Sequence, residues 1–269
     1  MQIDALMSKG SKTAKKGFRT EKDVADALNH WETNTLGRRL LENMRVDLEA
    51  IKRIEAAKDL PHTAKPDLSV KISLKNDSLI THLVSVKEAK KGFSFNHLHK
   101  VWVDSFSREY DLPEGLRGVL KQYVGEVSAT GTPIADGQIS GHDAKRRRQY
   151  LNVIPHSMEL AAFFRKNRQR MIETLLLGKG EYKADYLLAV LEDEEKSERL
   201  YVLVTDRQAV NFFGQGDVRI TGRGNLSMGR ITLQRKGGDA GLPSANMLQF
   251  KISPASLLKE HRPIYVEKY

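Results

Sequence analysis

The sequence has no cysteine. That absence excludes disulfides, thiolate zinc sites and a cysteine nucleophile together. It also lacks any apolar run of the ~18 residues that a membrane-spanning helix requires. The opening Met-Gln-Ile-Asp-Ala-Leu-Met-Ser-Lys9 does not have the basic-then-apolar layout of a secretory signal. Acids are in short supply. Against 44 Lys and Arg there are 34 Asp and Glu, a formal net charge of +10. A balance this basic favours a polyanionic partner over an acidic protein or a neutral metabolite. The expectation is a soluble cytoplasmic protein that meets nucleic acid.

The 269 residues, 40% hydrophobic and 29% charged, can bury one large core or two smaller ones. Thr20 reads as an N-cap, with Glu21 and Asp23 suiting the positive end of a helix that carries Val24, Ala27, Leu28 and Trp31 inward. A second helix is expected through Leu36, Leu40, Leu41, Met44, Leu48, Ile51 and Ile54. Leu68, Val70, Ile72 and Leu74 alternate as a strand, Lys75-Asn-Asp-Ser78 is a turn, and Leu79 to Lys87 returns. Further helices are expected around Trp102 to Tyr110, Glu114 to Val124 and, unbroken, His156 to Gly178. Five strand-like runs close the chain: Tyr186–Leu191, Leu200–Thr205, Val218–Thr221, Gly229–Arg235 and Met247–Ile252. The stretch from Ser128 to Asp143 is rich in Gly, Ser and Thr and marks the expected boundary between parts 1–127 and 128–269.

Chemistry gathers around Pro66-Asp67 and the strand Leu83-Val-Ser-Val-Lys-Glu-Ala-Lys90. A Pro-Asp pair followed by an apolar strand that ends in an acid or polar residue, any residue and a lysine is the PD-(D/E)xK nuclease pattern. Phosphodiester hydrolysis needs a divalent ion to neutralise the phosphate and activate water. Mg²⁺ takes only one or two protein carboxylates because it keeps most of its waters. Side chains alternate along a strand, so Ser85 and Lys87 share one face while Glu88 and Lys90 share the other. Either pair could look at Asp67. Glu21 is a further acid within conceivable reach of the metal, although a helix-start acid is the plainer reading. Asn96, His97 and Lys100 lie in a polar stretch beside aromatics, suited to base edges or a groove. His97 and His99 make poor metal partners, since their i,i+2 spacing does not share a helix face. The tetrad Lys145-Arg-Arg-Arg148, with Arg146 and Arg147 at its centre, suits phosphate.

A second constellation lies near the C-terminus: Gln234-Arg235-Lys236-Gly-Gly-Asp239, then Asn246-Met-Leu-Gln249-Phe-Lys251. Asp239 with Gln249-Phe-Lys251 is itself a carboxylate-then-polar-x-Lys arrangement. The alternative is a base-reading loop, because Arg and Lys pair with guanine, Asn and Gln with adenine, and Asp accepts from cytosine.

With these blocks the chain resembles the HinP-type type II restriction endonucleases, readers of the palindrome G-C-G-C, and more distantly the MspI-like monomeric enzymes. The likeness runs through Gly10-Ser-Lys-Thr-Ala-Lys15, Glu21-Lys-Asp-Val-Ala-Asp26, the Asp67 hairpin, Gly125-Glu126, the basic tetrad and Lys179-Gly180. It is densest from Gly229 to Asp239 and from Asn246 to Lys251. It implies a mixed α/β nuclease core with helices and a sheet-rich recognition subdomain. It also implies Asp67 as metal ligand, Ser85 and the Val86 carbonyl lining the site, and Lys87 as the catalytic lysine. Glu88 could assist if the strand is bulged. One or two Mg²⁺ ions, double-stranded DNA as substrate and a monomer or weak homodimer follow from the same resemblance. Ser85 stands where the family has Gln, and His97 where it has another Gln. The rival of a different class is an inactive DNA-binding protein that keeps the fold.

Overall fold

The structure, a computed structural model, describes residues 19–61, 63–91, 95–128, 149–237 and 243–268. It is a mixed α/β protein that divides into two compact units, each drawn from separate stretches of chain. The first unit takes residues 1–96, 176–211 and 253–269, and the second takes 97–175 and 212–252. In place of a single cut at 127/128, the chain therefore passes repeatedly between units. Both flanks of the Gly/Ser/Thr-rich stretch fall within the second unit's span, while residues 129–148 lie outside the described residues. Among the described residues no helix is long and apolar enough to cross a membrane.

In the first unit, helix α1 covers 19–29 and α2 covers Thr35–Asn43. Asn34 caps α2 through its side chain, which accepts from the Gly37 amide at 3.0 Å. Gly37 lets the helices approach, because a Cβ there would stand 2.0 Å from the Ala27 carbonyl oxygen. The expected continuation of α2 to Ile54 does not occur. Arg45 turns the backbone to φ 61°, and Ile51 and Ile54 belong instead to strand β1, Ile51–Ala57. Val24, Leu28, Leu40 and Leu41 pack with Leu68, Val70 and Ile72 in one core, to which Ile51, Ile54, Val84 and Val86 also contribute.

Strands β2 (Leu68–Leu74) and β3 (Leu79–Lys90) form the expected hairpin, antiparallel with Leu68 opposite Val84. Strand β5, Tyr186–Asp193, runs parallel to β3, with Ser85 beside Leu187 and Lys87 beside Ala189. Strands β6 (Glu198–Thr205) and β11 (Tyr265–Lys268) complete the sheet in antiparallel fashion. Its order is β1-β2-β3-β5-β6-β11. Edge strand β1 is pinned by α1: the Asn29 amide donates to the Ala56 carbonyl at 2.9 Å, and the Ala56 amide donates back to Asn29 Oδ1 at 2.8 Å.

The second unit is built on five strands: Asn96–Val101 (β4), Val218–Ile220 (β7), Leu226–Met228 (β8), Ile231–Arg235 (β9) and Leu248–Ile252 (β10). They form one sheet of order β4-β10-β9-β8-β7. The sequence marks the β4 stretch only as a bridge to a helix. Helices α3 (Val103–Tyr110), α4 (Glu114–Val124) and α5 (Ser157–Lys166) belong here. The long helix expected to Gly178 is two, since Asn167 separates α5 from α6, Arg168–Leu177. Phe106 stacks on Phe164 at 5.6 Å and leans on Phe250 at 5.7 Å, centring this unit's core. Helix α7, Asp206–Gly214, is not expected from sequence.

Candidate active site

Strand β3 is longer than β2, and the site arises from that mismatch. Pairing with β2 starts at Leu68 opposite Val84, so among the described residues no strand lies beside the β2-side edge of β3 beyond Val84. Asp67, one residue before β2 begins, fills the gap. Its amide donates to the Val84 carbonyl at 2.9 Å, and its Oδ2 accepts from the Val86 amide at 2.7 Å. The carboxylate thereby satisfies a backbone donor that would otherwise be an unpaired edge group.

Two side chains on one face of β3 converge on the same oxygen. Ser85 Oγ donates to Asp67 Oδ2 at 3.2 Å, and Lys87 Nζ reaches it at 2.9 Å. Lys87 Nζ also donates to the Val86 carbonyl at 2.9 Å. Ser85 is fully buried and Lys87 is 8% exposed, whereas the Asp67 side chain keeps a quarter of its surface open. The lysine is thus held in the wall, and the carboxylate faces outward. Val84 and Val86 occupy the opposite face, in the core with α1 and α2, which holds the functional face rigid from behind.

The alternative face has a different occupation. Glu88 accepts from Thr20 Oγ1 at 2.6 Å, and Lys90 pairs with Glu194. Glu21 is ion-paired with Lys58. The structure therefore brings Asp67, Ser85, Val86 and Lys87 together, and places the Glu88 and Glu21 carboxylates in other contacts. Regular alternation along β3 accounts for Glu88, since one residue beyond Lys87 the side chain points to the helix side of the sheet.

The donor set suits a hydrated hard cation better than a protein cage. Among the described residues no group of three or more His, Cys, Asp or Glu could hold a metal. One carboxylate, one carbonyl and one hydroxyl are the oxygens at hand, and they match an ion that keeps several waters. The Lys87 ammonium bridges Asp67 Oδ2 and the Val86 oxygen, so these two oxygens already stabilise positive charge between them.

Lys65, which sequence reasoning passes over, lies within the electrostatic reach of Lys87 and Asp67. Burial first, and the Lys87 ammonium second, pull its pKa down to about 7, while Asp67 pulls it up. The available signal is a basic residue immediately ahead of Pro66-Asp67, easily lost in a chain with 44 Lys and Arg.

The C-terminal constellation lies in the second unit. On β9 and β10, Gln234 is opposite Gln249 and Arg235 opposite Leu248. Gln234 Nε2 donates to Gln249 Oε1 at 3.3 Å. Arg235 shares its strand face with Ile231 and Leu233 and is buried with them. Its Nε donates to the Ala245 carbonyl at 3.1 Å and its Nη2 to Asn246 Oδ1 at 2.5 Å. Its guanidinium lies against Gly125, where a Cβ would be 3.4 Å from Nη1. The residue expected to pair with guanine is thus built into the fold, and Asn246 is its partner there. Gln249 is also buried, while Gln234, Lys236 and Lys251 are part-exposed.

His97 and Lys100 are exposed on β4. Although the residue as a whole is open, partial enclosure of the ring, then Lys100, Lys251 and Lys236 in turn, hold the His97 imidazole at about 4, so it is neutral near pH 7. Burial also lowers Lys251, with Lys100 contributing. The side-chain amide of Asn96 donates to the Glu88 carbonyl at 2.8 Å. Asp239 and the tetrad Lys145 to Arg148 lie outside the described residues.

Comparison with known proteins agrees with this architecture. The R.HinP1I restriction endonuclease family matches residues 44–258. A crystal structure of the restriction endonuclease MspI in complex with its cognate DNA superposes with a TM-score of 0.61. That match has 16% identity and covers 93% of this chain and 95% of the other. At that identity it speaks for the fold. No curated protein matches the chain.

Proposed function

The chain belongs to the R.HinP1I restriction endonuclease family, and we propose that it cleaves double-stranded DNA at G-C-G-C by Mg²⁺-assisted hydrolysis of the phosphodiester. The observation that carries the reading is the convergence of Ser85, the Val86 amide and Lys87 on Asp67 Oδ2, at the free edge of a strand packed into the core from behind. Asp67 and the Val86 carbonyl would hold the divalent ion, with Ser85 supporting the Asp67 carboxylate. The ion supplies charge neutralisation at the phosphate and a lower pKa for water.

The chain's own residues do the remaining work. Lys87, fixed by two oxygens at 2.9 Å, orients the attacking water and presents positive charge where negative charge develops. In-line displacement then leaves 5′-phosphate and 3′-hydroxyl ends. Substrate reading belongs to Gln234, Lys236 and Lys251 with His97 and Lys100, and buried Gln249 supports Gln234 by accepting from its amide. Neutral His97 both donates and accepts, as an amide does. The tetrad Lys145 to Arg148 and Asp239 complete the proposed DNA contacts, and the protein acts as a monomer or weak homodimer in the cytoplasm.

Plasmid digestion in Mg²⁺ followed by sequencing of the ends tests this. Fragments should begin and end within G-C-G-C. Ends at another fixed sequence would overturn the specificity but leave the nuclease standing. Intact plasmid with sequence-specific binding would establish the inactive DNA-binding alternative.

A further inference from the structure

We propose that Arg219, Ser227 and Thr232 form a backbone-binding strip on the open face of the second sheet and hold DNA phosphates beside the base pairs read by Gln234 and Lys251. The inference rests on the DNA-binding part of the reading above, and adds to it three residues and the phosphate oxygens they touch.

Register puts these side chains in one row. Arg219 on β7 is opposite Ser227 on β8, Ser227 is opposite Thr232 on β9, and Thr232 is opposite Lys251 on β10. Directly paired residues share a face of the sheet, and burial shows which one. Val218, Met228, Leu233 and Phe250 are buried on the other face, whereas Arg219 is exposed and Ser227, Thr232 and Lys251 are part-exposed. Gln234 and Gln249 form the next row of the same face, two residues along their strands. With strands ~4.8 Å apart, the row runs ~14 Å from Arg219 to Lys251. Its supports are stiff. Gly229, in the turn between β8 and β9, has φ +60°, and a Cβ there would stand 2.6 Å from the Phe213 carbonyl oxygen, to which the Arg230 amide donates at 2.8 Å. At the sheet edge, Arg165 of α5 donates to the Val218 carbonyl at 3.1 Å.

The chemistry of the row fits a phosphodiester backbone. None of the five strands of this sheet carries an Asp or Glu, although the chain has 34 acids. A merely solvated face mixes both signs of charge. Asp217, just ahead of β7, ion-pairs with none of the described residues, and the side chains of Arg219, Ser227 and Thr232 make no hydrogen bond or ion pair among them either. A guanidinium fork matches the paired oxygens of a phosphate, and hydroxyls donate to them singly. Such contacts set the register of a protein on the duplex and carry no sequence information. Phosphates of one strand advance ~3.4 Å per nucleotide along the axis. The span from Lys251 to Arg219 therefore carries the contacts several nucleotides beyond a base read by Lys251. An arginine on an edge strand also discourages strand addition, but that role needs neither the hydroxyl row nor the missing acids.

The test compares full-length wild type with Arg219→Gln, Arg219→Lys and the double variant Ser227→Ala, Thr232→Val. Binding is measured in Ca²⁺ to a G-C-G-C duplex and to a duplex without that site, over a salt range of about 50 to 200 mM, with thermal melting alongside. Arg219→Gln should weaken binding to both duplexes alike. Across that range the ratio of wild-type to variant affinity should shrink about 3.5-fold, the signature of one lost phosphate contact. Arg219→Lys should keep the wild-type salt dependence. The double variant should bind both duplexes about 5–30-fold more weakly, the effect of two hydrogen bonds. Its salt slope should be unchanged, because neutral donors release no counterion. No variant should melt lower, since all three side chains lie on the open face. Wild-type affinity in Arg219→Gln or in the double variant would overturn the proposal, as would Arg219→Lys with the slope of Arg219→Gln. A loss confined to the G-C-G-C duplex would do so as well, by making Arg219 a base reader, and so would a lower melting temperature with an unchanged slope. Wild-type protein that binds duplex but cleaves none in Mg²⁺ overturns the nuclease reading alone, and wild type without duplex affinity overturns both.

Discussion

Replacing Arg235 by Met separates a residue that reads DNA from one that holds the reading loop. Met keeps most of the stem volume and removes the guanidinium. In the native fold Arg235 is 7% exposed, and its guanidinium donates to the Ala245 carbonyl at 3.1 Å and to Asn246 Oδ1 at 2.5 Å. Loss of the donors leaves a buried carbonyl without this partner and releases Asn246. Each lost charge-assisted hydrogen bond costs about 1.5–3 kcal/mol. The relief of no longer burying a cation offsets part of it. A net loss of about 2–4 kcal/mol corresponds to a fall in melting temperature of roughly 5–15 °C for a chain of this size. Because Gly237 also donates to Ala245 at 3.1 Å and Lys236 to Met247 at 2.8 Å, loosening this corner should weaken binding to cognate and altered sites together. Lys236→Met, on the part-exposed side, should leave melting within about 0.5 kcal/mol of wild type while lowering affinity. Differential scanning calorimetry and binding to a set of single-base-altered duplexes provide both readouts. An Arg235→Met protein that melts like wild type and tolerates substitution at one base pair only would refute the brace and make Arg235 a reader.

The active-site face is tested by Asp67→Ala and Lys87→Ala, each expected to lower single-turnover cleavage by at least ~10²-fold while duplex binding in Ca²⁺ persists. Lys90→Ala, which loses an exposed pair with Glu194, should cleave near the wild-type rate, and the reverse ranking would mean that Glu88 and Lys90 face the phosphate. For His97, an NMR titration should find the imidazole midpoint near 4 rather than the ordinary 6.5. The folded state then refuses a proton that the unfolded chain accepts, so His97 makes stability fall as pH drops from 6.5 towards 4. His97→Gln should flatten that part of the melting profile, and a midpoint at 6.5 would show that the lysines and burial do not act on the ring.

Much of the fold was legible in the sequence because it rests on short-range regularities. Alternation in Leu68 to Leu74 and in the return strand encodes the hairpin, and the five later apolar runs all became strands. Composition pointed to a polyanion, and Pro66-Asp67 ahead of a lysine-ended strand pointed to the hairpin that carries the candidate site. The inward direction of Arg235 was also encoded, since it continues the parity of Ile231 and Leu233, but its polar chemistry drew attention first.

Other features depended on partners far away in the chain. Period two puts Ser85 with Lys87 and Glu88 with Lys90, yet parity alone does not say which pair meets Asp67. That was decided by α1 and α2 covering the face of Val84 and Val86, and by β2 ending where Asp67 can fill the edge of β3. Ile51 and Ile54 fit a helical stripe as well as a strand, and pairing of β1 with β2 resolved them. Lys65 has only a weak local mark, its place immediately ahead of Pro66-Asp67. The course of its stem depends on a loop more than a hundred positions later, where Gly178 leaves room for it. Local pattern sets the alternation of a strand, but only the packed fold chooses the face that meets water and the residues brought to it.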